Sequence, residues 1–172
     1  MSVLTRAEIE AYIKLKPPLV EGYVNLAEQL QPNGIDLTLR EIAGLTSAGQ
    51  IGASNSVRVL SDTIPLAFTG DGFITLSPGC YLITYNEIVN VPVEVTALGR
   101  PRSSLLRSGA DIGTAVWDAG YCGRSQSLLI VHNPAGLRLE RNARLMQLIF
   151  FRLDSTTAGY DGNYQQENIA PR

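Results

Sequence analysis

The stretch SQSLLIVHNPAGLRLERNARLMQLIFFRL, residues 125–153, decides the fold class. Short runs rich in Leu, Ile, Val and Phe stand at 125–132, 136–139 and 146–153, and Asn133-Pro134-Ala135-Gly136 interrupts the first two. Runs of this kind, bounded by turn-forming residues, are β-strands in the making: proline presets one φ angle and glycine tolerates a positive one. Working outward, similar runs occur at 35–40, 56–60, 72–76, 80–85 and 93–98, with Ser77-Pro78-Gly79 as a second turn. Both turns are expected to join neighbouring strands into hairpins. Eight short strands without a fixed-period repeat predict a mainly β protein, an antiparallel β-barrel or jelly roll, and not a solenoid or propeller.

The N-terminus reads differently. Thr5 and Glu8 have the spacing of a capping box, Leu4 and Ile9 that of a hydrophobic staple, and Ile9, Tyr12 and Ile13 share one helical face. One short helix is predicted, and Lys16-Pro17-Pro18 must end it, because proline lacks the amide proton a helix needs. At the other end, residues 158–172 are polar, glycine-containing and aperiodic, the composition of an arm. The 172 residues, 45% apolar, suffice for one core, so residues 1–157 are expected to form a single domain.

Charge excludes several partners. With 14 basic against 16 acidic residues the net charge is −2, which disfavours polymeric nucleic acid and anionic membranes. No apolar run approaches the ~20 residues of a membrane span, and no signal-peptide pattern opens the chain, so a soluble cytoplasmic protein is expected. Cys80, Cys122 and the lone His132 make no zinc pattern; the cysteines read as reduced, buried thiols, and His132 as a structural or surface residue. After Lys14 and Lys16 every basic residue is arginine. Guanidinium forks grip phosphate oxygens in pairs, so Arg100, Arg102, Arg107 and Arg124 are candidates to hold a small polyphosphate, or else serve solubility.

The densest chemistry lies in GRPRSSLLRSGADIGTAVWDAGYCG, residues 99–123. Arg102, Ser103 and Ser104 offer guanidinium, hydroxyl and backbone donors to phosphate without a Walker loop, although the two serines are equally good caps for a following turn or helix. Asp118, at what reads as a hairpin tip, suits a general base that takes a proton from water; a turn aspartate can also bond its own backbone. Tyr121 can offer a flat face to a sugar or fill core.

These segments occur in a telling order. Gln31-Pro32-Asn33-Gly34-Ile35-Asp36-Leu37, Arg102-Ser103-Ser104-Leu105, Asp118-Ala119-Gly120-Tyr121-Cys122-Gly123 and Arg144-Leu145-Met146-Gln147-Leu148-Ile149-Phe150 resemble the four motifs of the dUTPase and dCTP deaminase superfamily. Leu76-Ser77-Pro78-Gly79, Glu87 and Pro92 between them are deaminase-like, as is the tail Tyr160-Asp161-Gly162-Asn163-Tyr164-Gln165, although Asn163 stands where that tail usually has lysine. The resemblance implies a dUTPase-type β fold, a homotrimer with sites at subunit boundaries, and a deoxyribonucleotide substrate.

Two activities live in that superfamily, and one residue separates them. The deaminase glutamate is expected ten residues after Asp118, where this chain has Leu128, and without a carboxylate there water attack on cytosine lacks its proton acceptor. The resemblance therefore implies a dUTP diphosphatase in which Asp118 activates the water. Arg102, Ser103, Ser104, Arg107, Gln147, Tyr164 and Gln165 would bind substrate, and Tyr121 would lie under deoxyribose. Main-chain groups from Tyr121 to Gly123 would read uracil, and Asp36 would act through water or support Arg102. Mg²⁺ would be carried by the phosphates, with no direct protein ligand. The alternatives are a dCTP deaminase or bifunctional enzyme using another carboxylate, and a non-catalytic nucleotide-binding or regulatory protein.

Overall fold

The capping residues do at Thr5 what their spacing predicts. In the computed structural model, which describes residues 1–169, the Thr5 hydroxyl accepts from the Glu8 amide and Glu8 Oε2 accepts from the Thr5 amide at 2.9 Å. Strand β1 (Ser2–Val3) precedes helix α1 (Arg6–Ile13), and Leu4 and Ile9 are both fully buried. There follow β2 (Val20–Glu21), α2 (Leu26–Gln29), β3 (Leu30–Gln31) and the long β4 (Gly34–Leu45). After β5 (Thr63–Pro65) come β6 (Phe73–Leu76), β7 (Gly79–Tyr85), β8 (Ile88–Asn90) and β9 (Val95–Pro101). Helix α3 (Ser103–Arg107) leads into β10 (Ala110–Gly113), β11 (Val116–Trp117), β12 (Cys122–Gly123) and β13 (Gln126–Val131). Strands β14 (Leu137–Glu140) and β15 (Arg144–Arg152) close the series.

Every pairing is antiparallel, and the main sheet runs β10-β13-β7-β4-β15-β9-β11. It curls into a half-barrel and is supplemented by the small sheets β12-β8-β2 and β14-β6. The mainly β expectation holds. Three local expectations do not. Residues 56–60 form no strand: a 3-10 turn occupies Asn55–Val57, stabilised by the Ser54 hydroxyl accepting from the Ser56 amide, and only an isolated bridge joins Val59 to Gln50. The turns at 77–79 and 133–136 close no hairpins, because β6 and β14 pair with each other while β7 and β13 belong to the main sheet. The two turns cross together, and a Cβ on Gly136, at φ +81, would lie 2.4 Å from the Leu76 carbonyl oxygen. Thirdly, Cys80 is exposed and Cys122 half-buried; both are free thiols, so neither packs as a core residue. His132 is exposed, as expected.

The core is built from the inward faces of the long strands. Ile35, Leu37 and Leu39 of β4, Ile83 and Tyr85 of β7, Leu129 of β13, and Met146, Leu148 and Phe150 of β15 are all fully excluded from water. Two charged residues, Asp36 and Glu87, share this interior. Glu87, between β7 and β8, is fully buried, with Oε1 accepting from Gln29 Nε2 at 2.7 Å and Thr38 Oγ1 at 2.6 Å, and Oε2 accepting from the Thr38 amide at 2.9 Å. Gln29 Nε2 also donates to the Asp36 carbonyl at 2.8 Å. The network thus anchors the start of β4, and Asp36 with it, to α2 and the β7–β8 turn. Buried polar groups are tolerated only when matched in this way. Among the described residues no helix is long and apolar enough to cross a membrane.

Candidate active site

Asp118 sits on the turn between β11 and β12, closed by the Tyr121 amide donating to the Asp118 carbonyl at 3.1 Å. These strands pair with β9 and β8 respectively, so the turn is a crossing between sheets and not a hairpin tip. The residue before it is braced: the Trp117 indole N–H donates to Ser125 Oγ at 2.8 Å, and Thr96 Oγ1 donates to the Trp117 carbonyl at 3.0 Å. Asp118 itself is exposed, and among the described residues its carboxylate has no hydrogen-bond or ion-pair partner. It borders a cavity of about 550 Å³ whose walls include Trp117, Tyr121, Gln126, Tyr160 and Glu167. A free carboxylate at the mouth of such a space can accept a proton from water.

Tyr121 is buried at one side of this cavity. Its hydroxyl donates to Glu167 Oε1 at 2.8 Å, and its ring meets Tyr160 edge-on, 5.9 Å between centroids at 68°. Burial and the neighbouring Glu167 push the phenol well above its ordinary range, so it remains a donor; burial also raises the Glu167 carboxyl against the pull of that bond. Gly123 makes no room for ligand; a Cβ there would lie 2.3 Å from the Tyr121 hydroxyl, so glycine is what lets the ring reach Glu167.

The C-terminal segment runs along the edge of residues 119–124 that faces away from β8. The Tyr160 amide donates to the Ala119 carbonyl at 2.7 Å, the Gln166 amide to the Cys122 carbonyl at 2.7 Å, and the Arg124 amide to the Glu167 carbonyl at 2.9 Å. Between them the Gln165 side chain bridges two groups: Nε2 donates to the Gly120 carbonyl at 2.9 Å, and Oε1 accepts from the Cys122 amide at 2.8 Å. Gly120 must be glycine here, since its φ is +83 and a Cβ would come within 2.8 Å of Gly159 Cα. Tyr164 lies under Arg58, 5.6 Å from guanidinium carbon to ring centre. Residues 170–172 of the expected arm lie outside the described residues.

The remaining expected residues gather elsewhere. Arg102 precedes α3, its Nε pairing with Asp36 Oδ2 at 3.0 Å and its Nη1 donating to the Arg144 carbonyl at 3.3 Å. Asp36 is buried, receives Gln31 Nε2 at 3.3 Å and has Arg144 Nη1 at 3.7 Å, while its Oδ1 meets no donor among the described residues. Burial pushes its carboxyl up, and Arg102 and Arg144 pull it back without cancelling the shift. Ser103 and Ser104 stand exposed in the first turn of α3, with neither hydroxyl capping it. Arg107 is exposed at its end, and Gln147 of β15 lies opposite Asp36 and Arg100. None of Arg102, Ser103, Ser104, Arg107 or Gln147 lines the Asp118 cavity. Nor do the four arginines converge: Arg124 donates to the Tyr85, Asn86 and Asn168 carbonyls and lines a different cavity with Arg40 and Arg141. Arg124 is a structural clamp, drawn to carbonyls left over where β7 turns.

The sequence profile of the dCTP deaminase-like family matches residues 3–153. The chain belongs to this family. Relatives named probable deoxyuridine 5'-triphosphate nucleotidohydrolase share 50% identity in Methanosarcina mazei, over 98% of this chain and 99% of that one, and 45% in Archaeoglobus fulgidus, over 98% and 99%. A crystal structure of 2'-deoxycytidine 5'-triphosphate deaminase from Agrobacterium tumefaciens superposes with a TM-score of 0.65 at 22% identity, covering 86% of this chain and 47% of that one. The chain thus spans about half the length of that protein, and the likeness is one of fold. The dCTP deaminase-like match ends at 153, before the segment that carries Tyr160, Gln165 and Glu167. Glu167 had no sequence signal: it stands in an aperiodic polar stretch and acquires its role only by contact with Tyr121, 46 residues away.

Proposed function

We propose that this chain hydrolyses dUTP to dUMP and pyrophosphate. The observation that carries this reading is the exposed Asp118 carboxylate, without a partner among the described residues, beside a cavity that Tyr121 borders. Asp118 takes a proton from a water whose oxygen attacks the α-phosphorus. The bond from that phosphorus to the oxygen bridging the β-phosphate breaks, and pyrophosphate departs with that oxygen. The names carried by the full-length relatives support the same substrate.

The triphosphate end is the task of Arg102, Ser103, Ser104, Arg107 and Gln147, with Asp36 holding Arg102 through their 3.0 Å pair. These residues do not line the Asp118 cavity of their own chain, which supports a homotrimer whose sites lie at subunit boundaries. Leu98 and Val116, side by side across β9 and β11 with exposures of 45% and 52%, leave an apolar edge for a neighbouring copy to cover. Among the described residues no group of three or more His, Cys, Asp or Glu could cage a metal. In this reading Mg²⁺ is carried by the phosphate oxygens and water, where it would neutralise charge developing on the leaving pyrophosphate. In this reading residues 1–157 are one β domain of a cytoplasmic enzyme and 158–172 are its arm, with Tyr164 and Gln165 closing over bound nucleotide.

The deciding experiment incubates the purified protein and Mg²⁺ with dUTP and with dCTP separately and identifies every product. Pyrophosphate and dUMP are expected from dUTP. No ammonia is expected from dCTP, because Leu128 sits between Gly113 and Leu82 on the paired strands and no acid replaces the family's glutamate there. Ammonia would establish the deaminase instead, and binding of dUTP without turnover would point to a regulatory protein.

Sugar discrimination follows from Tyr121. UTP is expected to be a poor substrate, and Tyr121→Ala to narrow the ratio of kcat/KM for dUTP over UTP by about tenfold or more, since the ring no longer excludes a 2′-hydroxyl. An unchanged ratio in the variant would place sugar recognition elsewhere.

A further inference from the structure

We propose that Glu167 is a positioning residue for sugar selection: by holding the Tyr121 hydroxyl it fixes the ring that excludes a 2′-hydroxyl, so this discrimination depends on the docked C-terminal segment. The inference rests on the dUTP reading, in which Tyr121 lies under deoxyribose, and adds to it the residue that sets where the ring stands.

An apolar wall rejects a substrate that merely adds a hydroxyl only weakly, and a wall that can tilt rejects it less. How firmly the ring is held therefore matters. Tyr121 and Glu167 both line the cavity that Asp118 borders. The phenol donates to Glu167 Oε1 at 2.8 Å, and burial keeps the proton on the phenol at neutral pH. A carboxyl oxygen accepts that bond whether or not Glu167 is ionised. Strand β12 leaves space for the pair: a Cβ on Gly123 would collide with the phenol oxygen and lie 3.1 Å from Glu167 Cγ.

Glu167 is itself held in place. Its carbonyl accepts from the Arg124 amide at 2.9 Å, and its amide donates to the Tyr164 carbonyl at 3.2 Å. Tyr160, on the same segment, meets the Tyr121 ring edge-on from a second direction. Residues 160–167 thus grip Tyr121 at its hydroxyl and at its ring. The Asp118 carboxylate bonds to neither residue among the described residues, so a loosened ring leaves the base where it is. The effect of loosening falls on the choice of sugar.

The test measures kcat/KM for dUTP and for UTP with the full-length protein and its Glu167→Ala, Glu167→Gln and Tyr121→Phe variants. Glu167→Ala is expected to narrow the ratio of dUTP over UTP by about threefold to tenfold, the weight of one buried hydrogen bond. Tyr121→Phe removes the same bond from the other end while keeping the ring, and is expected to narrow the ratio by a similar factor; it decides the matter if the alanine variant fails to fold. Glu167→Gln, whose amide oxygen still accepts, is expected to keep the parental ratio. A residue serving stability alone would lower both substrates together and leave the ratio where it was. An unchanged ratio in Glu167→Ala or Tyr121→Phe overturns the proposal, and so does a glutamine variant that loses as much as the alanine one. In each of these cases dUMP and pyrophosphate made by the wild-type protein keep the dUTP reading intact. If the wild-type protein makes neither, the proposal falls together with that reading.

Discussion

Asp118→Asn is expected to slow pyrophosphate release from dUTP by about 10²–10⁴-fold, the range that loss of a general base produces. Affinity for dUTP should stay close to that of the parent, because the amide keeps the shape of the carboxylate and loses only the ability to accept the water's proton. The structure sharpens this expectation. Among the described residues Asp118 is exposed and its carboxylate bonds to nothing, so the substitution breaks no contact and the melting temperature should not move. Single-turnover kinetics alongside calorimetric binding and a thermal melt separate the three effects. Near-parental turnover would remove Asp118 from the chemistry.

Glu87→Ala should have the largest effect on stability, a loss of about 3 kcal/mol or more, because it leaves buried donors without an acceptor and opens a cavity. The Thr38 amide is wholly orphaned by the change, while Gln29 Nε2 retains the Asp36 carbonyl. A pH signature accompanies the loss. Burial holds the Glu87 carboxyl above its ordinary value of 4.5 against the pull of the Thr38 and Gln29 donors. The protonated form therefore adds stability that is complete below about pH 4.5 and disappears as pH rises through the raised folded value. The alanine variant lacks this contribution. Urea midpoints of the two proteins should accordingly differ most in acid and draw closer towards neutrality; a gap independent of pH would mean that Glu87 titrates as an exposed acid does.

What could be read from the sequence follows a physical divide. The strands at 80–85, 125–132 and 146–153 were legible because their own residues demand burial, and the Thr5 cap because it is closed within four residues. The two-residue strands β2, β11 and β12 were not, since a ladder that short exists only by virtue of its partner. The same divide runs through the site. The motifs allowed Asp36 either to act through water or to support Arg102, and the two side chains pair in space. The contacts of Gln165 and Glu167 with residues 120–124 join points more than 40 residues apart through a stretch with no periodicity, so no local pattern announces them. Residues 56–60 show the opposite error: Val57, Val59 and Leu60 have strand-forming side chains but stay exposed, with no sheet edge to receive them.

Trp117 is the only tryptophan in the chain, 4% exposed, with its indole N–H held by Ser125 and its ring bordering the same cavity as Asp118. An indole so placed emits as a buried fluorophore, and its emission depends on the polarity and hydrogen bonding of what fills the space beside it. The protein thus carries an unlabelled optical reporter one residue from its proposed base. Nucleotide arrival can be timed by following its emission in a rapid-mixing experiment, on the wild-type chain and without any attached dye.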